Sequence, residues 1–171
     1  MSEGRILVSE NQGNHIVKLE GDVRLTLCAS FNEYIDTIFE NEQADDLIVD
    51  LRDAKGVDST TLGLLAKLAM YTTDHFKLKP TMFCMDPSLL QIIESMGLDD
   101  LYDIVESDPG ELEESTELSA IQEDIEQIRK HILEAHKLLS LLNPANRTEF
   151  MDLIATLEEE EEEESDESKS L

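Results

Sequence analysis

The six residues "DLIVDL" at 46–51 constrain the fold more than any other stretch of the chain. Acids bound an apolar run too short for a helix, which is the pattern of a strand buried on both faces. Such a strand needs a layer of helices against it. The flanking segments supply one. "RILVSE" and "NHIVKLEG" read as two strands joined by "NQGN", whose Gly and Asn residues suit a hairpin. Within the second strand, Ile16 with Leu19 or Val17 is expected to face the core. "CASFNEYIDTIFEN" sets Phe31, Ile35, Ile38 and Phe39 at helical spacing, with Ser30 or Asn32 available as a cap. After "DLIVDL" comes a helix carrying Leu62, Leu65, Ala66, Ala69 and Met70. "LKPTMFCM" is a further strand. "DPSLLQIIESMG" is a helix with Asp86 as N-cap, Pro87 in the first turn and Gly97 as its stop. "LYDIVES" closes the series. The order ββαβαβαβ predicts an α/β fold: a mixed sheet of four to five strands, parallel crossovers, and helices packed on it.

The composition shifts near residue 107, and residues 1–107 read as one domain. Residues 108–117 are acidic, carry Pro109 and Gly110, and read as a linker. Residues 118–158 read as a helical extension. Leu118, Ile121, Ile125, Ile128, Ile132, Ala135, Leu139 and Leu142 recur at spacings of three and four, an a/d stripe over more than three heptads. Pro144 ends it, and Asn143 is placed to cap a second, shorter helix with Phe150, Leu153, Ile154 and Leu157 on one face. The pair predicts a C-terminal αα-hairpin. The stripe has three uses: packing on the domain's own core or open sheet face, pairing in a homodimer through the 118–142 helix, or holding a partner helix. Leu133, Leu138 and Leu141 widen it beyond a strict seam, which favours the first. The run of seven Glu opening at Glu158 repels itself, so residues 159–171 are expected to be a disordered tail.

Charge narrows the function. With 40 Asp and Glu against 13 Lys and Arg, the formal net charge is −27. Such a field disfavours nucleic acid and anionic lipid and favours basic partner surfaces. No apolar run approaches the length of a membrane span, and "MSEGRILVSE" does not resemble a signal peptide, so the expected location is the cytoplasm. Cys28 and Cys84 form no CxxC pair and read as reduced core residues.

The chemistry lies in "GVDSTTLGLLAKLA", residues 56–69, where a carboxylate and three hydroxyls open an apolar helix. Asp58 or Ser59 makes a good N-cap, worth about 1 kcal/mol with no function attached. Yet the motif follows the strand "DLIVDL" and a short loop, at the sheet edge where α/β sites gather. A phosphoserine there adds about −1.5 to −2 of charge to any surface that includes the helix mouth. That changes binding without unfolding anything.

"LIVDLRDAKGVDSTTLGLLAKL" resembles the central segment of STAS domains, specifically of bacterial anti-sigma factor antagonists. The places that match are Asp58, Ser59, Thr60, Thr61, Leu62, Gly63 and Leu64. "FCMDPSLLQIIESMGLDDLYDIVES" resembles the strand, Pro-led helix, "GL" turn and closing strand of the same family. The resemblance covers about the first 107 residues and implies a STAS-like fold. It implies that Ser59 is phosphorylated by a serine kinase, with Thr60 as a secondary candidate. Asp58, Ser59, Thr60, Thr61, Leu62 and Gly63 are then the partner-binding residues. Asp58 is a cap and kinase or phosphatase contact, and Gly63 lets the helix mouth pack closely. The implied partners are an anti-sigma factor, often itself the kinase, and a serine phosphatase. Two places depart from the family pattern: Thr61 stands where many relatives have Gly, and Gly56 where many have an apolar residue.

The alternative reading is a STAS scaffold or accessory subunit of a transport or signalling assembly, in which "DSTT" is only a cap. An enzyme is not expected. None of His15, His75, His131 and His136 stands at a recognisable spacing from Ser59, and there is no GxSxG elbow. No cofactor or metal is expected, because neither a Cys/His cluster nor a Gly-rich loop is present.

Overall fold

The computed structural model describes residues 3–40, 43–106 and 114–169. Its elements are β1 (Arg5–Asn11), β2 (Asn14–Val23), α1 (Cys28–Glu40), β3 (Asp46–Asp50), β4 (Ala54–Val57), α2 (Ser59–Phe76), β5 (Thr81–Phe83), α3 (Pro87–Ser95), β6 (Asp103–Val105), β7 (Thr116–Glu117), α4 (Ile125–Ser140) and α5 (Pro144–Lys169). The sheet has the order β6-β5-β3-β2-β1-β7, with β4 paired to β2 beyond the end of β3. The β1–β2 and β1–β7 pairs are antiparallel and the remaining pairs parallel. This is the predicted α/β architecture, with seven strands among the described residues rather than four or five.

The hairpin between β1 and β2 turns through Gln12 and Gly13, both at positive φ. Glycine adopts that conformation without strain at Gly13, whereas Gln12 takes it as a non-glycine residue. Pairing aligns Ile6 with Leu19 and Val8 with Val17, and all four are buried. The register therefore places Val17 and Leu19 inward and leaves Ile16 half-buried. In β3, Leu47 and Val49 are fully buried, as the "DLIVDL" run requires. Asp86 caps α3 by accepting from the Ser88 amide, and Gly97 follows the helix at φ +84. Both cysteines are free and buried.

The two additional strands are short. β4, "AKGV", carries a lysine and a glycine and reads as loop. β7 is two exposed residues, Thr116 and Glu117, at the end of the stretch read as linker; residues 107–113 lie outside the described residues. From β7 the chain crosses the sheet edge. The Leu118 amide donates to the Ile6 carbonyl, and the Ser30 hydroxyl donates to the Ser119 carbonyl. The predicted helix from Leu118 is thereby displaced. It starts at Ile125, where the Asp124 side chain accepts from the Gln127 amide. Edge pairing satisfies the backbone at Leu118, and a better cap lies one turn further on.

The C-terminal αα-hairpin is present. Asn143 caps α5 as expected, its side chain accepting from the Asn146 amide at 2.7 Å. The hairpin is not a separate unit, because Leu139 and Phe150 belong to the same apolar cluster as the sheet core. The acidic run differs from the disordered tail expected from Glu159 onward. Helix α5 continues through it to Lys169. Cations on α4 compensate part of the charge: Arg129 pairs with Glu160 at 2.9 Å and with Glu164, and Lys137 pairs with Glu158 at 2.9 Å. The Lys137 pair is exposed and the Arg129 pairs are half-buried at the surface, so each is worth little. Removing residues 158–171 should therefore cost at most about 1 kcal/mol, a loss that shrinks in high salt. Chemical denaturation at low and high salt measures it, and a loss several times larger would contradict this reading.

Candidate functional site

The site forms where β4 hands the chain to α2. Asp58 has extended backbone and caps the helix. One carboxylate oxygen accepts from the Thr61 amide at 2.8 Å and the Thr61 hydroxyl at 2.7 Å. The other accepts from the Leu25 amide at 2.7 Å. Asp58 therefore does more than cap. It ties the start of α2 to the turn leading into α1. Thr61, one of the two places that depart from the resemblance, is fully buried and spends its hydroxyl on this carboxylate. Gly56, the other departure, is close-packed, since a Cβ there would come within 2.9 Å of the Asp22 carboxylate.

Asp58 takes the capping role, so Ser59 is free for another contact. Its hydroxyl lies 2.7 Å from Nε2 of His136, on α4. The His136 Nδ1 sits 2.7 Å from the Ile132 carbonyl, which can only accept. Nδ1 thus donates to that carbonyl, and Nε2 is the ring atom that meets the Ser59 hydroxyl. The ring is 2% exposed and stands edge-on to Phe150 at 4.9 Å. Of the three hydroxyls at the helix mouth, Ser59 is half-buried, whereas Thr60 is 6% exposed and Thr61 is not exposed at all. Leu62 faces the core.

One turn on, Gly63 meets α4 directly. A Cβ at Gly63 would collide with the Ala135 carbonyl oxygen and lie 2.6 Å from the Ala135 methyl. The expected close packing at Gly63 is there, and the neighbour it admits is the chain's own extension. A further turn on, Lys67 is 5% exposed. Its ammonium pairs with Glu134 of α4 at 2.8 Å and donates to Asn32 of α1 at 2.7 Å. Of the heptad stripe, Ala135 and Leu139 are buried within this chain, as is Leu133 beside it, whereas Ile125 at the start of α4 is 73% exposed. The C-terminal part of the stripe packs on the domain's own core, through Leu139 and the Ala135 contact with Gly63.

Sequence reasoning missed His136, which is 77 residues from Ser59. The signal available was faint: a histidine beside the small Ala135 on an otherwise aliphatic stripe. It also left Lys67 unremarked within an apolar helix.

A serine hydrogen-bonded to an oriented imidazole has the local geometry of an activated nucleophile. The cavities nearby do not serve it. One of about 320 Å³ is lined by Leu25, Cys28, Ile121, Ile128 and His131. Another of about 620 Å³ runs along Leu133, Leu138, Leu141 and Ile154. Neither takes in Ser59 or His136. Cys28 is close to Thr61, but burial pushes its thiol up to about 12, so it is protonated at neutral pH. Among the described residues no His, Cys, Asp and Glu group is arranged to hold a metal, and no helix is long and apolar enough to cross a membrane.

A mixed sheet covered by helices, with a capped helix mouth following β4, is the architecture of an α/β domain. The model of the STAS domain family matches residues 5–110, more than half of the chain, which therefore belongs to that family. A crystal structure of an anti-sigma factor antagonist from Mycobacterium paratuberculosis shares the fold. The two agree with a TM-score of 0.52 at 17% identity, over 61% of this chain and 87% of that one. No curated protein matches this chain.

Proposed function

We propose that this protein is a cytoplasmic bacterial anti-sigma factor antagonist. In its unphosphorylated state it binds an anti-sigma factor or serine kinase through the mouth and first turns of α2. Phosphorylation at Ser59 switches that binding off, and a serine phosphatase restores it. The observation that carries the reading is the division of labour at the helix mouth. Asp58 alone accepts from the Thr61 amide, so the Ser59 hydroxyl is not consumed by capping and bonds His136 instead. Membership of the STAS family and the fold shared with an antagonist support it.

The physics of the switch is local. A phosphate at Ser59 brings about −1.5 to −2 of charge to the first turn of α2. A partner seated there would have to desolvate it and, if acidic, be repelled by it. The expected result is that Ser59→Ala captures the anti-sigma partner from a lysate of the source organism and Ser59→Asp does not. Both variants should keep the fold, since the lost hydroxyl–imidazole bond is worth about 1 kcal/mol. Equal capture by both, at matched melting temperature, would support the scaffold reading instead.

A further inference from the structure

Ser59, Gly63 and Lys67 are spaced by four and so form one ridge along α2. Each meets α4: Ser59 meets His136, Gly63 meets Ala135, and Lys67 meets Glu134. The ridge offers a hydroxyl, a gap and a cation in that order. Helix α4 answers with an imidazole, a methyl and a carboxylate from three consecutive residues. We propose that this ridge is a helix-binding surface, and that α4 occupies it as a built-in competitor of the external partner. The inference rests on the antagonist reading for the identity of the surface, and it adds the chemistry of what binds there.

Three observations select a helix of this kind. At Gly63 only a small residue can approach, because even one added carbon meets the α4 backbone. Lys67 is nearly buried, and a buried ammonium is tolerated only when a carboxylate comes with the covering element. The charge of α4 also fits an acidic host. Arg129, Lys130 and Lys137 balance Asp124, Glu126 and Glu134, so residues 124–142 are neutral within a chain of net charge −27. An external partner helix therefore carries a small residue flanked by a carboxylate for Lys67 and a hydrogen-bonding side chain for Ser59. Docked α4 also holds the Ser59 hydroxyl against His136, which keeps a kinase from it. Binding and modification of the site both require α4 to lift.

The test uses the full chain and a fluorescent peptide of residues 124–142 with the natural sequence. Ala135→Glu forces bulk into the contact with Gly63 and should release α4 in cis, leaving the ridge open for the peptide in trans. Hydrogen exchange should then show fast α4 amides with β3 still protected. Peptide affinity should exceed that of the wild type at least tenfold, and adding Lys67→Glu should abolish the gain. Should β3 also lose protection in Ala135→Glu, the milder pair Glu134→Lys with His136→Ala removes two contacts without adding bulk, and the same gain is expected there. Equal peptide affinity for the wild type and an opened chain overturns the proposal, as does an opened chain that ignores the peptide. Failure of the phospho-switch reads differently, as equal partner capture by Ser59→Ala and Ser59→Asp.

Discussion

Gly63→Leu lowers the melting temperature by about 6–12 °C, the largest effect expected of any single change at the site. The leucine Cβ alone would collide with the Ala135 carbonyl and sit 2.6 Å from its methyl. The obstacle includes backbone, so rotation of a side chain cannot relieve it. Overpacking of this kind costs about 3 kcal/mol, and a chain of this size loses roughly 2–4 °C per kcal/mol. The loss should fall unevenly. Helix α4 separates from α2 and its amides exchange faster, while β2, β3 and β5 stay protected, because their ladder bonds join them to one another and not to α4. Hydrogen exchange by mass spectrometry reads this directly. A Gly63→Leu chain with unchanged melting and a protected α4 would show that the two helices are not packed as described.

Asp58→Ala costs about 2–3 kcal/mol. The carboxylate accepts three hydrogen bonds, from the Thr61 amide, the Thr61 hydroxyl and the Leu25 amide. Loss of a cap alone is worth about 1 kcal/mol. The remainder comes from leaving the Leu25 amide and the buried Thr61 hydroxyl without their acceptor. Asp58→Asn keeps one oxygen and should recover roughly half of the loss. Urea denaturation distinguishes the variants: an Asp58→Asn midpoint equal to that of the wild type would mean that the tie to Leu25 contributes nothing. The comparison also separates Asp58 from Ser59, since only the former is expected to be a stability residue.

How much of this was legible in the sequence varies with the range of the interactions involved. The β1–β2 hairpin, the β3 strand, the Asp86 and Asn143 caps and the αα-hairpin were readable, because each is set by residues close together in the chain. Periodicity and capping act over a few residues, and so does reading them. β4 and β7 escaped because four and two residues carry no period; they exist only because β2 and β1 present edges to them. The helical Glu run escaped because its compensation comes from Arg129 and Lys137, on another helix. At the site, the mouth of α2 was visible as "DSTT", but the choice between its two possible caps was not. Asp58 won because its second oxygen also reaches Leu25. The partner of Ser59 was hidden for the same reason as the Glu run. A contact between Ser59 and His136 is decided by how α4 lies on α2, and that follows from Gly63 and Ala135 being small together.

The central claim is that the Ser59 hydroxyl is a modified switch rather than a passive neighbour of the cap. The most direct measurement is phosphosite mapping by mass spectrometry on the intact protein isolated from cells of the source organism, in growth and in stationary phase. The account predicts a singly phosphorylated fraction mapped to Ser59 whose size changes between the two states. A chain that stays unmodified in both, or carries its phosphate elsewhere, would contradict it.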